Sequence, residues 1–245
     1  MAGARMRWQL STSRHAPPCG ALLLFPLDVP EAEREALYGL LSAEERARAA
    51  RFVFPELGHR FTVAHGRLRQ VLAPVVGMDP ARIAFRAADH GKPELDGEAA
   101  ASGVQFNLSH SDNWAVVGWA KGRAIGVDIE AWRPMRDEAA LVRRFFSPAE
   151  NAAYDALPPA QRSEGFFHCW TRKEAYIKAV GRGLSLPLDS FDVSLEPGDG
   201  ARLLRPSALC EDGRCWSLAA AEGPPGTSIA VVLESDSLVV LPNPA

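Results

Sequence analysis

Ala124-Ile125-Gly126-Val127-Asp128-Ile129-Glu130 is a run of strict alternation at the middle of the chain. Successive side chains on a strand point to opposite faces, so Ile125, Val127 and Ile129 share an apolar face. Gly126, Asp128 and Glu130 share the other. The two carboxylates therefore lie about 7 Å apart along one face, close enough to converge on a single cation. Like charges at that spacing repel unless a cation lies between them, and carboxylate oxygens suit Mg2+ or Mn2+. Taken alone, the run is better explained as a half-exposed strand with an acidic outer face. Gly126 leaves space beside the acids, which favours a ligand there.

Outward from this strand the chain reads as two similar halves. Upstream, residues 21–27 form a strand-sized apolar run, and residues 1–18 are polar and expected to be frayed. Ser42-Ala43-Glu44-Glu45 has capping-box spacing and predicts a helix, and a second helix is expected over 59–72. Strands follow over 81–86, 104–108 and 114–120, with turns at Gly91-Lys92-Pro93 and at residues 109–113. Lys121-Gly122 reads as a hairpin turn into the acidic strand. Downstream, Ser147-Pro148-Ala149-Glu150 repeats the capping box with proline at the first helical position. A helix over 165–180 ends at Gly181, and strands follow over 191–195, 216–221 and 229–234, with a loop around Pro206. Helix, helix, strand, strand, strand thus occurs twice. The expected fold is α+β, with two similar halves (1–122 and 123–245) packed about a pseudo-twofold axis. A single long sheet is the alternative.

Composition narrows the function classes. The chain has 245 residues, 47% hydrophobic and 23% charged, an ordinary soluble balance. No apolar run approaches the ~18 residues of a membrane span. Arg5 and Arg7 are followed by no apolar segment, so no signal peptide is expected. Cys19, Cys169, Cys210 and Cys215 show neither metal-binding nor disulfide spacing, and a cytoplasmic location is expected. A net charge of −3 argues against nucleic-acid binding. Locally, Arg46, Arg48, Arg51, Arg60, Arg67 and Arg69 face the single acid Glu56 and offer an anion-binding region, although exposed helix faces explain most of them.

A second candidate lies on the later helix. In Trp170-Thr171-Arg172-Lys173-Glu174-Ala175-Tyr176-Ile177-Lys178, Trp170, Glu174 and Lys178 share a stripe at four-residue spacing. A surface Glu174–Lys178 ion pair is the ordinary account. Phe166, Phe167, Cys169, Tyr176 and Ile177 make the segment apolar enough to be core, where acid and lysine need a charged partner such as a metal–phosphate complex. In Phe106-Asn107-Leu108-Ser109-His110-Ser111, turn N–H groups with Ser109 and His110 would form an anion nest. Lys92 and Arg60 are further candidate phosphate contacts. A catalytic Ser109–His110 pair is disfavoured, because neighbouring strand residues face opposite ways.

Taken in order, these four motifs resemble those of the 4′-phosphopantetheinyl transferases, in the larger pseudo-dimeric monomer class of the surfactin-synthetase activator. The run Gly183-Leu184-Ser185-Leu186-Pro187-Leu188 adds to a likeness that covers residues 42–195. The resemblance implies transfer of phosphopantetheine from coenzyme A to a serine of an apo acyl or peptidyl carrier protein. Adenosine 3′,5′-bisphosphate is the implied by-product. It implies Asp128, Glu130 and Glu174 as Mg2+ ligands acting with the pyrophosphate, Glu174 as general base, and Lys178 as a phosphate contact assisting departure. It implies Lys92 with its neighbour Pro93, Ser109, His110 and Arg60 as coenzyme A contacts, and Arg48 near the 3′-phosphate. Glu45 stands where the surfactin-type activator has a lysine, which is expected to weaken that edge of the pocket. The first-half helix around Leu68 carries arginines instead of an acid, so one metal site is expected, with the first half serving coenzyme A. A metal-dependent hydrolase or nuclease, and a binding module without chemistry, are the rival readings.

Overall fold

Two sheets meet along the strand that carries Asp128. The computed structural model describes residues 6–198, 200–207 and 213–242. Its strands are β1 (Met6–Ser11), β2 (Gly20–Pro26), β3 (Ala84–Ala87), β4 (Pro93–Asp96), β5 (Val104–Ser111), β6 (Trp114–Lys121), β7 (Ile125–Ala131), β8 (Asp192–Val193), β9 (Leu203–Arg205), β10 (Trp216–Ala221), β11 (Thr227–Glu234) and β12 (Val239–Pro242). Its helices are α1 (Glu31–Tyr38), α2 (Ala43–Ala50), α3 (Pro55–Val76), α4 (Glu138–Phe145), α5 (Pro148–Ala156) and α6 (Arg162–Val180). The first sheet runs β12-β1-β2-β6-β5 and the second β10-β11-β7, with two small hairpin sheets, β3-β4 and β8-β9. The fold is mixed α and β, as expected.

Strand alternation builds the layers. Leu22 and Leu24 of β2, Val116 and Ala120 of β6, and Ile125, Val127 and Ile129 of β7 form one apolar cluster between the two sheets. The opposite face of the first sheet, with Phe106 and Val117, packs on Val63, Leu68 and Leu72 of α3. Ala175, Ile177 and Ala179 of α6 pack with Ala230 and Val232 on the outer face of the second sheet. Both capping boxes form as the sequence predicts, at Ser42–Glu45 and Ser147–Glu150. Gly181 ends α6 in the left-handed conformation at φ 79°.

Buried charge fixes α6. Lys173 Nζ reaches Glu150 Oε2 at 2.7 Å and also donates to the carbonyls of Leu188 and Phe191 at 2.6 and 2.9 Å. Glu150 in turn accepts from Ser147 N and Val193 N. Every hydrogen-bonding group of this pair is engaged, so it is held without an orphaned charge.

Several expectations need correction. Residues 6–11 are not frayed: β1 lies between β12 and β2 with Trp8 and Leu10 buried, because Leu10 and Trp8 reach the inter-sheet layer. Residues 1–5 lie outside the described residues. The strand expected over 81–86 begins later, after a 3-10 turn at Pro80–Arg82, and the strand expected over 191–195 shrinks to β8. Lys121-Gly122 is a turn but not a hairpin, since β6 and β7 enter different sheets. Neither α1 nor α4, which lack a side-chain N-cap bond, is among the expected helices. Cys19, Cys169 and Cys215 are free thiols, while Cys210 and the loop residues 208–212 beyond Pro206 lie outside the described residues. No helix of the described residues is long and apolar enough to cross a membrane.

Candidate active site

The site assembles where β5, at the edge of the first sheet, meets β7, at the edge of the second. Gly126 permits this. A Cβ on Gly126 would lie 2.1 Å from Ala175 O and 2.2 Å from Ala179 N, so the missing side chain admits the backbone of α6, not a ligand. This close approach sets Glu174 and Lys178 beside the acidic face of β7. The alternating residues Asn107, Ser109 and Ser111 of β5 then stitch the seam with side chains. Asn107 Oδ1 accepts from Val127 N at 2.8 Å, Ser109 Oγ donates to Asp128 Oδ1 at 2.7 Å, and Ser111 Oγ donates to Glu130 Oε2 at 2.9 Å. Ser111 Oγ also accepts from Ala131 N at 3.1 Å.

Asp128 is the centre of this arrangement and is 3% exposed. Lys178 Nζ donates to its Oδ1 at 2.5 Å and to Ser109 Oγ at 3.1 Å. Its Oδ2 is buried and has no hydrogen-bond partner, a costly state for a carboxylate oxygen. Burial raises the Asp128 pKa, opposed mainly by Lys178. Glu130 receives Arg133 Nη1 at 3.2 Å in addition to Ser111. Glu174 is half-buried and makes no hydrogen bond or ion pair with the described residues. Burial raises its pKa, and the charges of Asp128 and Glu130 raise it further. The Glu174–Lys178 ion pair considered from the sequence does not form; the lysine serves Asp128 instead.

The other face of β5 looks into a different space. A cleft of about 760 Å³ is lined by Arg48, Phe52, Arg60, Phe61, His65, Phe85, Pro93, Leu108 and His110 among others. Ser109 and His110 therefore point to opposite sides of one strand, serine to the acids and imidazole to the cleft. The anion nest expected at residues 109–110 is overturned. Both residues sit in the β5–β6 ladder, opposite Val116 and Ala115, and the turn begins only at Asp112, at φ 50°. Burial lowers the His110 pKa, and Lys178 lowers it further.

Of the residues expected to contact phosphate, Arg48, Arg60, Pro93 and His110 line the cleft. Arg48 covers the Phe61 ring at 5.1 Å, and Phe61 stacks on His65 at 3.9 Å. Arg60 is already paired: its guanidinium donates to both oxygens of Asp28 at 3.1 Å and to Asp112 O at 3.1 Å. Lys92 is corrected. Its ammonium turns away from the cleft and donates to Ile125 O at 2.8 Å, where burial lowers its pKa to about 8. Arg67 and Arg69 are also removed from the anion-binding region, being buried against Glu33 and Glu45.

Glu45 does not reach the cleft. Its carboxylate binds Arg69 Nη2 at 2.8 Å, His65 Nδ1 at 3.1 Å and Ser42 N at 2.9 Å. Burial alone would raise its pKa; the bonds from His65, Ser42 and Arg69 outweigh that and hold it at about 2. A depressed acid stabilises the fold fully above its unfolded pKa and loses that contribution as pH falls through the folded value. Glu45→Gln is thus expected to cost about 3 kcal/mol in urea unfolding at pH 7, with the difference from wild type fading between about pH 4.5 and 2. Equal stability at pH 7 would mean that Arg69 finds another partner.

Asn107, Ser111 and Arg133 were missed as site residues. The even spacing of 107, 109 and 111 on one strand was the available signal, but it became meaningful only once β7 lay opposite. Among the described residues no three His, Cys, Asp or Glu side chains are drawn together into a preformed metal cluster. The donor chemistry nevertheless suits a hard divalent cation: Asp128 Oδ2 is orphaned, and the charges of Asp128 and Glu130 are felt at Glu174.

Comparison with known proteins now bears on this geometry. Residues 30–121 match the profile for the N-terminal part of 4′-phosphopantetheinyl transferases, and residues 124–232 match that of the 4′-phosphopantetheinyl transferase superfamily. The 4′-phosphopantetheinyl transferase HetI of Nostoc sp. (strain PCC 7120 / SAG 25.82 / UTEX 2576) is 40% identical over 203 residues, 81% of this chain and 85% of that protein. The chain belongs to the 4′-phosphopantetheinyl transferase family. The 4′-phosphopantetheinyl transferase Sfp of Bacillus subtilis (strain 168) is 34% identical over 165 residues, 67% of this chain and 71% of that protein. In this transferase the two matched stretches meet at the turn between β6 and β7, immediately before the acidic strand.

Proposed function

We propose that the acids at the β5–β7 seam and the cleft behind β5 act on one substrate, coenzyme A. The chain is a phosphopantetheinyl transferase, moving the 4′-phosphopantetheine group from coenzyme A to a carrier protein. The acceptor is a serine hydroxyl of an apo acyl or peptidyl carrier. The observation that carries the site assignment is Asp128, buried with one unpartnered oxygen between Glu130, Glu174 and Lys178.

Asp128, Glu130 and Glu174 would hold Mg2+ or Mn2+. When bound, the ion supplies neutralisation of charge on the phosphate oxygens and orientation of the reacting groups. Glu174 takes the proton of the carrier serine, whose oxygen attacks the phosphorus that bears pantetheine. The bond from that phosphorus to the bridging oxygen breaks, and adenosine 3′,5′-bisphosphate leaves. Lys178 balances charge on the departing phosphate. Arg48 and His110 contact coenzyme A phosphate, with the Phe61–His65 stack and Phe85 offering flat apolar walls beside them. Arg60 serves through its fixed position at the cleft wall, and Pro93 shapes the same wall.

The segments 1–122 and 123–245 are read as halves related by a pseudo-twofold axis, with β12 of the second half crossing over to pair with β1 in the first sheet. A cytoplasmic monomer is the expected state. Purified protein with coenzyme A, Mg2+ and a panel of apo carriers is expected to yield a carrier heavier by one phosphopantetheine in intact-mass spectra. Unchanged carriers with coenzyme A still bound would favour a binding module. Metal-dependent cleavage of coenzyme A without any carrier would favour a hydrolase.

A further inference from the structure

The acidic site already contains a cation of its own. Lys178 Nζ lies 2.5 Å from Asp128 Oδ1 and 3.1 Å from Ser109 Oγ, while Asp128 Oδ2 has no partner. Burying a lone carboxylate is costly, and the Lys178 ammonium offsets part of that cost. The lysine is not locked in place. Its side chain is 28% exposed, on a flexible stem one helical turn beyond Glu174, so the charge can move without moving α6. Glu174, by contrast, makes no bond with the described residues.

A second cation arriving alone at Asp128 would stand against Lys178 in a partly buried site, where like charges interact strongly. An incoming pyrophosphate changes this balance by offering Lys178 another anion. We propose that Lys178 is an exchangeable counter-ion that holds Asp128 in the free protein and is drawn to coenzyme A phosphate, so that divalent metal and coenzyme A bind as a coupled pair. This rests on the carboxylates being a metal site, as proposed above. It also gives a physical reason why the three acids are not preformed into a cluster: the lysine occupies the central one.

Coupling between two ligands is reciprocal, so coenzyme A tightens metal binding by the same factor that metal tightens coenzyme A binding. The test is titration of the free protein with Mn2+, reading unbound Mn2+ by its electron paramagnetic resonance signal, with and without coenzyme A. Wild type is expected to bind Mn2+ at least about tenfold more tightly with coenzyme A present. Lys178→Gln is expected to bind Mn2+ alone more tightly than wild type, with the effect of coenzyme A reduced. Circular dichroism checks that this variant folds, and Lys178→Met takes its place if Lys178→Gln does not. A metal shared with the pyrophosphate would couple the two ligands by itself, so the lysine variant carries the test. Equal Mn2+ affinity with and without coenzyme A in wild type overturns the exchange. So does a folded Lys178→Gln that binds Mn2+ alone no more tightly than wild type. Absence of Mn2+ binding in every sample sinks the metal assignment itself, a distinct outcome.

Discussion

Asp128→Asn is expected to lower kcat/KM for phosphopantetheine transfer by roughly a thousandfold or more while leaving the unfolding midpoint almost unchanged. The substitution keeps the shape of the side chain and removes only the charge. That charge is the one to which Lys178 and Ser109 are directed, at 2.5 and 2.7 Å. Removing one member of a fully buried ion pair ordinarily costs about 3–5 kcal/mol, because the other charge is stranded. Here the partner is not stranded: the Lys178 side chain is 28% exposed and rehydrates where it stands. Relief of the buried carboxylate, whose pKa burial raises, offsets what is lost. Steady-state kinetics and thermal unfolding of the same preparation separate the two effects. An inactive variant that is also unfolded would make Asp128 a structural residue, and a variant within tenfold of wild type would remove it from the site.

The second large effect is expected at Glu174. Glu174→Gln should reduce kcat by about a hundredfold to ten-thousandfold, the range of a lost general base, with a smaller change in KM for coenzyme A. Glutamine preserves the volume and polarity of the side chain but cannot accept the serine proton. Nothing in the fold depends on this carboxylate, which bonds to no described residue, so stability is expected to hold. In the free protein burial and the neighbouring Asp128 and Glu130 raise its pKa. Kinetics at saturating coenzyme A and carrier make the comparison. Near-normal turnover in Glu174→Gln would place the base elsewhere.

Much of the site was legible in the chain. Alternation alone put Asp128 and Glu130 on one face of β7, and four-residue spacing put Glu174 and Lys178 on one stripe of α6. Capping boxes marked α2 and α5 because they are local hydrogen-bond patterns, complete within four residues. Partners were not legible. Lys178 had a glutamate four residues away and chose an aspartate from another element. Lys92, expected at phosphate, found the carbonyl of Ile125. Arg69 and Glu45, 24 residues apart, form one buried pair across α2 and α3. Charge in a sequence shows what can pair, while burial decides which pairs form.

Gly126 carries the same lesson in its sharpest form. From the sequence it was a gap beside two acids, open to a ligand. In the fold the gap is filled by the backbone of α6, at 2.1 Å from where a Cβ would stand. The sequence by itself determined the acidic face, the two helix starts and the family to which the chain belongs, because each rests on residues near in sequence or on ordered motifs. Only the tertiary structure decided that β5 divides the acids from the cleft and that a lysine occupies the central carboxylate. Those facts depend on how two sheet edges and a helix approach one another, a distance that no local pattern encodes.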